Sequence, residues 1–303
     1  MTQIFIDTQI FLNLYKTKQN VKKILEDIEK IKSYLVFPEQ VLDEFVRNRD
    51  NKIRELKKNI VDTQNICSFG LFNKYPEFND CKELRTQIDD VKKRMLAKCD
   101  EILTEPDKDE IFSYLLKLYS DNEVLSIKRT SDIFKRAHQR KLIGNPPITE
   151  RKNSIGDEIN WESILDRVKD DLVIISDDHT YESDITFLSR EFQQTVNRKI
   201  LAIDNKLTTA LKFIDVKPSK ELKLFETEQE QKIVDETVQK IIQFRELVKP
   251  SSDWTTDSSG NYYLPNTIMR QGSIFSFFAP STNEKVYKKI LNKPESSHDS
   301  KKD

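Results

Sequence analysis

Three apolar residues, Ile4-Phe5-Ile6, stop at a single carboxylate, Asp7. Past it the apolar residues change to helical spacing, Ile10 with Leu14 and Phe11 with Tyr15. That switch, from a continuous run to every third or fourth residue, predicts a short strand buried on both faces and then a helix. Strands buried on both faces belong to parallel sheets covered by helices on each side, which narrows the chain to the α/β class. In such open sheets ligands bind just beyond the carboxyl ends of the strands. Asp7 is therefore either a ligand-binding acid or the N-cap of its helix, a position where Asp is favoured.

More strands of the same kind follow. An amphipathic helix over 21–32 (Val21, Ile24, Leu25, Ile28, Ile31) leads to the apolar run Tyr34-Leu35-Val36-Phe37. Pro38 reads as the first residue of the next helix, where its missing N–H costs nothing. That helix runs past Asn59, buries Val41, Leu42, Phe45 and Val46, and carries Glu44 with Asn48 four residues on. A third run, Leu172-Val173-Ile174-Ile175, ends on Ser176-Asp177-Asp178 and repeats the opening pattern. The helix before it starts at Asp157 and buries Trp161, Ile164, Leu165 and Val168. Ile200–Ile203 reads as a fourth strand and 205–213 as a closing helix.

Between the second and third strands the sequence predicts an all-helical insert, about 60–140. Its longest helix, 81–103, carries an apolar stripe of Leu84, Ile88, Val91, Met95, Cys99 and Ile102, with Cys99 as a packed thiol. A compact helix over 111–119 and a more polar one through Ala137 complete it. The interval 121–152 holds eight basic and four acidic residues, 8 − 4 = +4. It is either a solvated helix face or a local phosphate-binding surface.

The composition excludes several chemistries. Only five glycines occur in 303 residues, and none makes a Gly-rich loop, so a Walker A or dinucleotide fingerprint is ruled out. Three cysteines without a CxxC pair and three histidines give no zinc-site spacing. A net charge of −1 advertises no general affinity for nucleic acid, so any such surface is local. The chain shows no basic n-region and no apolar run near ~18 residues, so the expectation is a cytoplasmic protein without a membrane span.

The carboxylates carry the chemistry. Asp7, Asp177 and Asp178 sit at strand tips, Glu44 in the first turns of a helix leaving one, and Asp157 at the start of a crossover helix. Acids gathered at one edge raise each other's pKa, so the natural use of such a set is to hold one or two hard cations. Mg²⁺ or Mn²⁺ would serve phosphodiester hydrolysis there. Taken singly, each acid has a plainer reading: Asp157 as a cap, Asp178 as a turn residue, Glu44 as surface.

Phe5-Ile6-Asp7-Thr8, Leu12-Asn13-Leu14-Tyr15, Glu44-Phe45-x-x-Asn48-Arg49, Gly156-Asp157-x-x-x-Trp161 and Ile175-Ser176-Asp177-Asp178 together resemble a bacterial PIN-like domain over residues 1–215. The resemblance implies a three-layer α/β/α fold and a metal-dependent nuclease, usually acting on RNA. It implies Asp7, Glu44, Asp157 and Asp178 as metal-binding and catalytic acids, with Asp177 beside them. Where this chain has Gln9 the family more often has Asn or Ser. Family habit alone would add a toxin or phage-defence role. Arg47, Asn48, Arg49, Lys128, Arg129, Arg136 and Arg140 are candidates for holding the nucleic-acid backbone. Arg49 is equally a candidate for pairing with an acid of the cluster.

Two alternatives remain from the residues: an inactive PIN-like assembly subunit, and a haloacid-dehalogenase-like phosphatase. The latter wants a second Asp where Gln9 stands. A nuclease directed at DNA is the lesser variant of the leading reading. Beyond the PIN-like part, 216–291 reads as an amphipathic helix (226–248) and an aromatic-rich extension with Trp254, Tyr262, Tyr263, Phe275, Phe277 and Phe278. The extension allows a small β element and suits a homo-oligomer contact or an inhibitory protein. Residues 292–303 read as a disordered tail.

Overall fold

The structure is a computed structural model that describes residues 2–62, 76–147, 154–247 and two short strands at 255–256 and 262–263. Five strands form one all-parallel sheet: β1 (Thr2–Ile6), β2 (Leu35–Pro38), β3 (Leu125–Ile127), β4 (Asp171–Ile175) and β5 (Ile200–Asp204). Their spatial order is β3-β2-β1-β4-β5. The two central strands are the most apolar, as position requires: Ile4, Phe5, Leu172, Val173, Ile174 and Ile175 are all fully buried. β5 lies at an edge, and its Leu201 is exposed.

Helices α1 (Thr8–Asn13), α2 (Val21–Glu29), α3 (Glu39–Asp62) and α5 (Glu110–Ser120) pack among themselves, as do α6 (Ser131–Ile143), α7 (Gly156–Arg167) and α9 (Ile185–Val196). The sheet lies between helical layers in a three-layer α/β/α sandwich, as the sequence predicted. The remaining elements are α4 (Pro76–Thr104), α8 (His179–Ser183), α10 (Leu207–Phe213) and α11 (Lys220–Leu247). Residues 1–226 form one compact unit and 227–303 a second. The second unit contains a short antiparallel pair, β6 (Thr255–Thr256) with β7 (Tyr262–Tyr263), the small β element the sequence allowed. The other expectations for the aromatic-rich extension and for 292–303 lie outside the described residues.

Several expectations need correction, the simplest being Val46 of α3, which is exposed instead of buried. The predicted insert is not all helical, because β3 lies inside it and pairs with β2 through Val36↔Leu125 and Pro38↔Ile127. Pro38 ends β2 instead of opening α3; a strand end tolerates the missing N–H as well as a helix start does. The stripe on α4 is largely exposed at Leu84, Ile88, Val91 and Met95. Among the described residues its C-terminal part is the buried one, where Cys99 packs with Ile53 and Ile60 of α3 as the predicted packed thiol.

Two buried arginines fasten the helices. Arg49 gives its Nε to Asp109 at 2.7 Å and Nη2 to the Ile102 carbonyl at 2.6 Å, and its guanidinium lies 5.4 Å from the Phe112 ring centre. Asp109 also caps α5, accepting from the Ile111 and Phe112 amides. Arg140 joins Glu162 of α7 at 2.8 Å to Glu191 of α9 at 2.6 Å. Trp161 Nε1 donates to the other oxygen of Glu191 at 2.7 Å. α6 then stops at Gly144, whose φ of 75° is the left-handed conformation that suits glycine.

Candidate active site

The strand order reverses between β1 and β4, which opens a crevice at their carboxyl ends. Register fixes what stands there. Ile6 pairs with Ile175, the Asp7 amide donates to the Ile175 carbonyl at 2.8 Å, and the two chains continue as Asp7 and Ser176. Asp7 Oδ1 accepts from the Thr8 amide at 2.8 Å and Oδ2 from Ser176 Oγ at 3.0 Å. Both readings of Asp7 therefore meet in one side chain: it caps α1 and faces the crevice. Ser176 Oγ in turn accepts from the Asp178 amide at 3.1 Å, tying the two strand tips together.

Asp178 caps α8, accepting from the Thr180 amide and hydroxyl. Asp177 accepts from Asn13 Nδ2 at 3.0 Å, and Asn13 Oδ1 accepts from Gln9 Nε2 at 2.8 Å. The long amide at position 9 thus reaches the acids through Asn13. Glu44 comes from α3 and Asp157 from the start of α7. Gly156 is what lets those helices meet: a Cβ there would stand 3.1 Å from Gln40 Nε2 and 3.5 Å from Glu44 Oε2.

These acids share a cleft of about 460 Å³, lined by Asp7, Glu44, Asp157, Asp177 and Asp178 together with Gln9, Asn48, Asn51, Lys52, Glu55 and Ser154. Burial, then the charge of Glu44, pushes Asp7 up to about 7, against the lowering effect of its two hydrogen bonds. Burial, then Asp7, Asp178 and Glu44, pushes Asp157 up to about 8. The acids feel each other's charge, yet among the described residues no three Asp, Glu, His or Cys side chains form a metal-holding group. The arrangement is an acidic cleft, not a closed ligand cage. Its donors are carboxylate oxygens, with neither thiol nor imidazole, and two of them ionise only at unusual cost. That chemistry fits a hard divalent cation, whose charge would remove the cost.

Of the proposed backbone-holding residues, only Asn48 lines the cleft. Arg47 and Lys128 are exposed elsewhere. Arg49 and Arg140 are 3% and 5% exposed and spent on internal ion pairs, so neither is offered to a ligand. Arg136 bridges Glu162 and Asp166, and Arg129 pairs with Asp43. Among the interval's described residues, Arg129, Arg136, Arg140 and Lys141 are thus paired with acids outside it. The cation the sequence reading missed is Lys52, which lines the cleft one turn after Asn48 on α3; the i, i+4, i+8 spacing of Glu44, Asn48 and Lys52 was its signal.

The architecture is a parallel α/β/α sandwich with a carboxylate-lined crevice at its switch point. The sequence pattern of the PIN domain matches residues 4–181, more than half of the chain. The protein belongs to the PIN domain family, whose members are generally nucleases that use divalent metal ions. Comparison with curated proteins and with solved structures found no match. Among the described residues no helix is long and apolar enough to cross a membrane.

Proposed function

We propose that this protein is a Mg²⁺- or Mn²⁺-dependent endonuclease that hydrolyses phosphodiester bonds in RNA. The observation that carries the reading is the pair Asp7 and Asp157, desolvated in one cleft with Glu44 and Asp178 and raised by their shared charge. Asp7, Glu44, Asp157 and Asp178 would hold the ion, with Asp177 beside them. When bound, it supplies Lewis acidity at the scissile phosphate and lowers the pKa of water.

The chain's own groups do the rest. Lys52, 20% exposed and loosely paired with Glu55 at 3.7 Å, is placed to take a phosphate oxygen. Asn48 and Asn51 present amides that can pair with a ribose 2′-hydroxyl, the group that separates RNA from DNA. Ser176 and the Gln9–Asn13 pair keep Asp7 and Asp177 in place through their hydrogen bonds. A toxin or phage-defence role in the cytoplasm extends this reading by family habit.

The test mixes the protein with RNA or single-stranded DNA in Mn²⁺ or EDTA, beside Asp7→Asn. The reading expects Mn²⁺-dependent cleavage of RNA by the wild type alone. Equal cleavage by both proteins would sink it.

A further inference from the structure

Tyr181 is fully buried, and its phenolic O–H has no hydrogen-bond partner among the described residues. A buried, unmet hydroxyl is destabilising, and buried tyrosines normally find an acceptor. Phenylalanine would fill the same volume without that cost, so packing alone does not explain the oxygen.

The surroundings do. Tyr181 follows Asp178 by three residues in α8, and its ring lies 6.0 Å, centre to centre, from that of Phe5, two residues before Asp7. The ring is thereby set beneath the two strand tips that carry the acids. Besides burial, the negative charges of Asp157, then Asp7, Glu44 and Asp178, hold the phenol well above its ordinary value. The phenol is thus a buried donor without an acceptor among the described residues, set next to the carboxylates of the cleft. Asp157, which acts on it most strongly of the four, accepts no hydrogen bond among the described residues.

We propose that Tyr181 is a positioning residue of the acid cleft, its O–H reserved for the ionised carboxylate of Asp157. One bond meets two unmet needs, the orphan donor and the buried charge. It fixes one oxygen of Asp157 and leaves the other for a cation. The inference rests on reading the cleft as a divalent-cation site. Partners of this kind, touching a ligand and not the ion, typically change metal affinity by about 10–100-fold when removed.

The experiment titrates Mn²⁺ calorimetrically into metal-free wild type, Tyr181→Phe and Phe5→Leu, with melting curves in EDTA and RNA cleavage rates alongside. Tyr181→Phe is expected to melt within a few degrees of wild type, bind Mn²⁺ at least tenfold more weakly and lose kcat. Phe5→Leu, which loosens the same packing and keeps the hydroxyl, is expected to melt lower and keep its Mn²⁺ affinity. Affinity for Mn²⁺ in Tyr181→Phe within twofold of wild type overturns the proposal and leaves the cation site standing. The same loss in Phe5→Leu also overturns it, by assigning the effect to packing. If wild type itself takes up no Mn²⁺, the reading of the cleft fails and this inference with it.

Discussion

Replacing Asp157 by Asn should make the metal-free protein more stable. In the folded chain this carboxyl ionises at about 8, against an ordinary value of 3.8. The unfolded side chain therefore loses its proton as pH passes 3.8, while the folded one keeps it. The stability contributed by this group is complete below pH 3.8 and is lost as pH climbs towards 8. At pH 7 the gap is about 3 pH units at about 1.4 kcal/mol each, a ceiling of about 4 kcal/mol. Asp157 is partly exposed, shares its titration with its neighbours, and an amide is desolvated too, so roughly 1–3 kcal/mol is expected at pH 8. No hydrogen bond among the described residues is lost in the exchange. At about 2–4 °C per kcal/mol, the variant should melt roughly 2–12 °C higher than wild type in EDTA. Its melting temperature should also fall less between pH 5 and pH 8. Added Mn²⁺ should raise the wild type and leave the variant unmoved, because only a ligand that binds the native state stabilises it. Scanning calorimetry at the two pH values, with EDTA or Mn²⁺, measures all of this. A variant that melts at or below wild type at pH 8 in EDTA, with a parallel pH dependence, refutes the electrostatic argument.

Arg49→Ala should lower stability by about 3–5 kcal/mol in urea denaturation, because it strands the buried carboxylate of Asp109. An unchanged midpoint would mean that the ion pair contributes nothing. Lys52→Ala should raise KM for RNA several-fold and flatten its salt dependence, whereas Lys128→Ala should leave both alone; steady-state kinetics at two salt concentrations tells them apart. Gly156→Ala adds a Cβ 3.1 Å from Gln40 Nε2, a side-chain end that can shift by a few tenths of an ångström. Its melting temperature should stay within a few degrees while kcat drops modestly, since Gln40 must shift beside the cleft and the 3.5 Å to Glu44 Oε2 is an ordinary contact. Full activity would show that the close approach of α7 to α3 is not needed.

Much of the frame was legible because burial on both faces forces central strands to be continuous apolar runs, and because the acids sit where those runs stop. β3 escaped because it is an edge strand of three residues with Ser126 in its middle, too short to show a period. The stripe on α4 has helical spacing, but spacing does not reveal whether a neighbour is long enough to cover it. The arginines were misplaced for a related reason. Arg136 and Arg140 are neutralised by Glu162, Asp166 and Glu191, residues 22 to 51 positions away that no local charge count includes. Tyr181 left no trace in the sequence, because an aromatic residue near a strand end looks the same with or without a partner for its hydroxyl.

The bond from Ser176 to Asp7 joins residues 169 positions apart, and β1 lies beside β4 over its whole length. β1 finds β2 within about thirty residues, but its other neighbour, β4, exists only after more than half of the residues have been made. Until residue 178 has emerged and β4 has docked, Asp7 and Glu44 have neither Asp157 nor Asp178 beside them. The acid cleft therefore does not exist in the nascent chain and is completed in one step with the closing of the sheet.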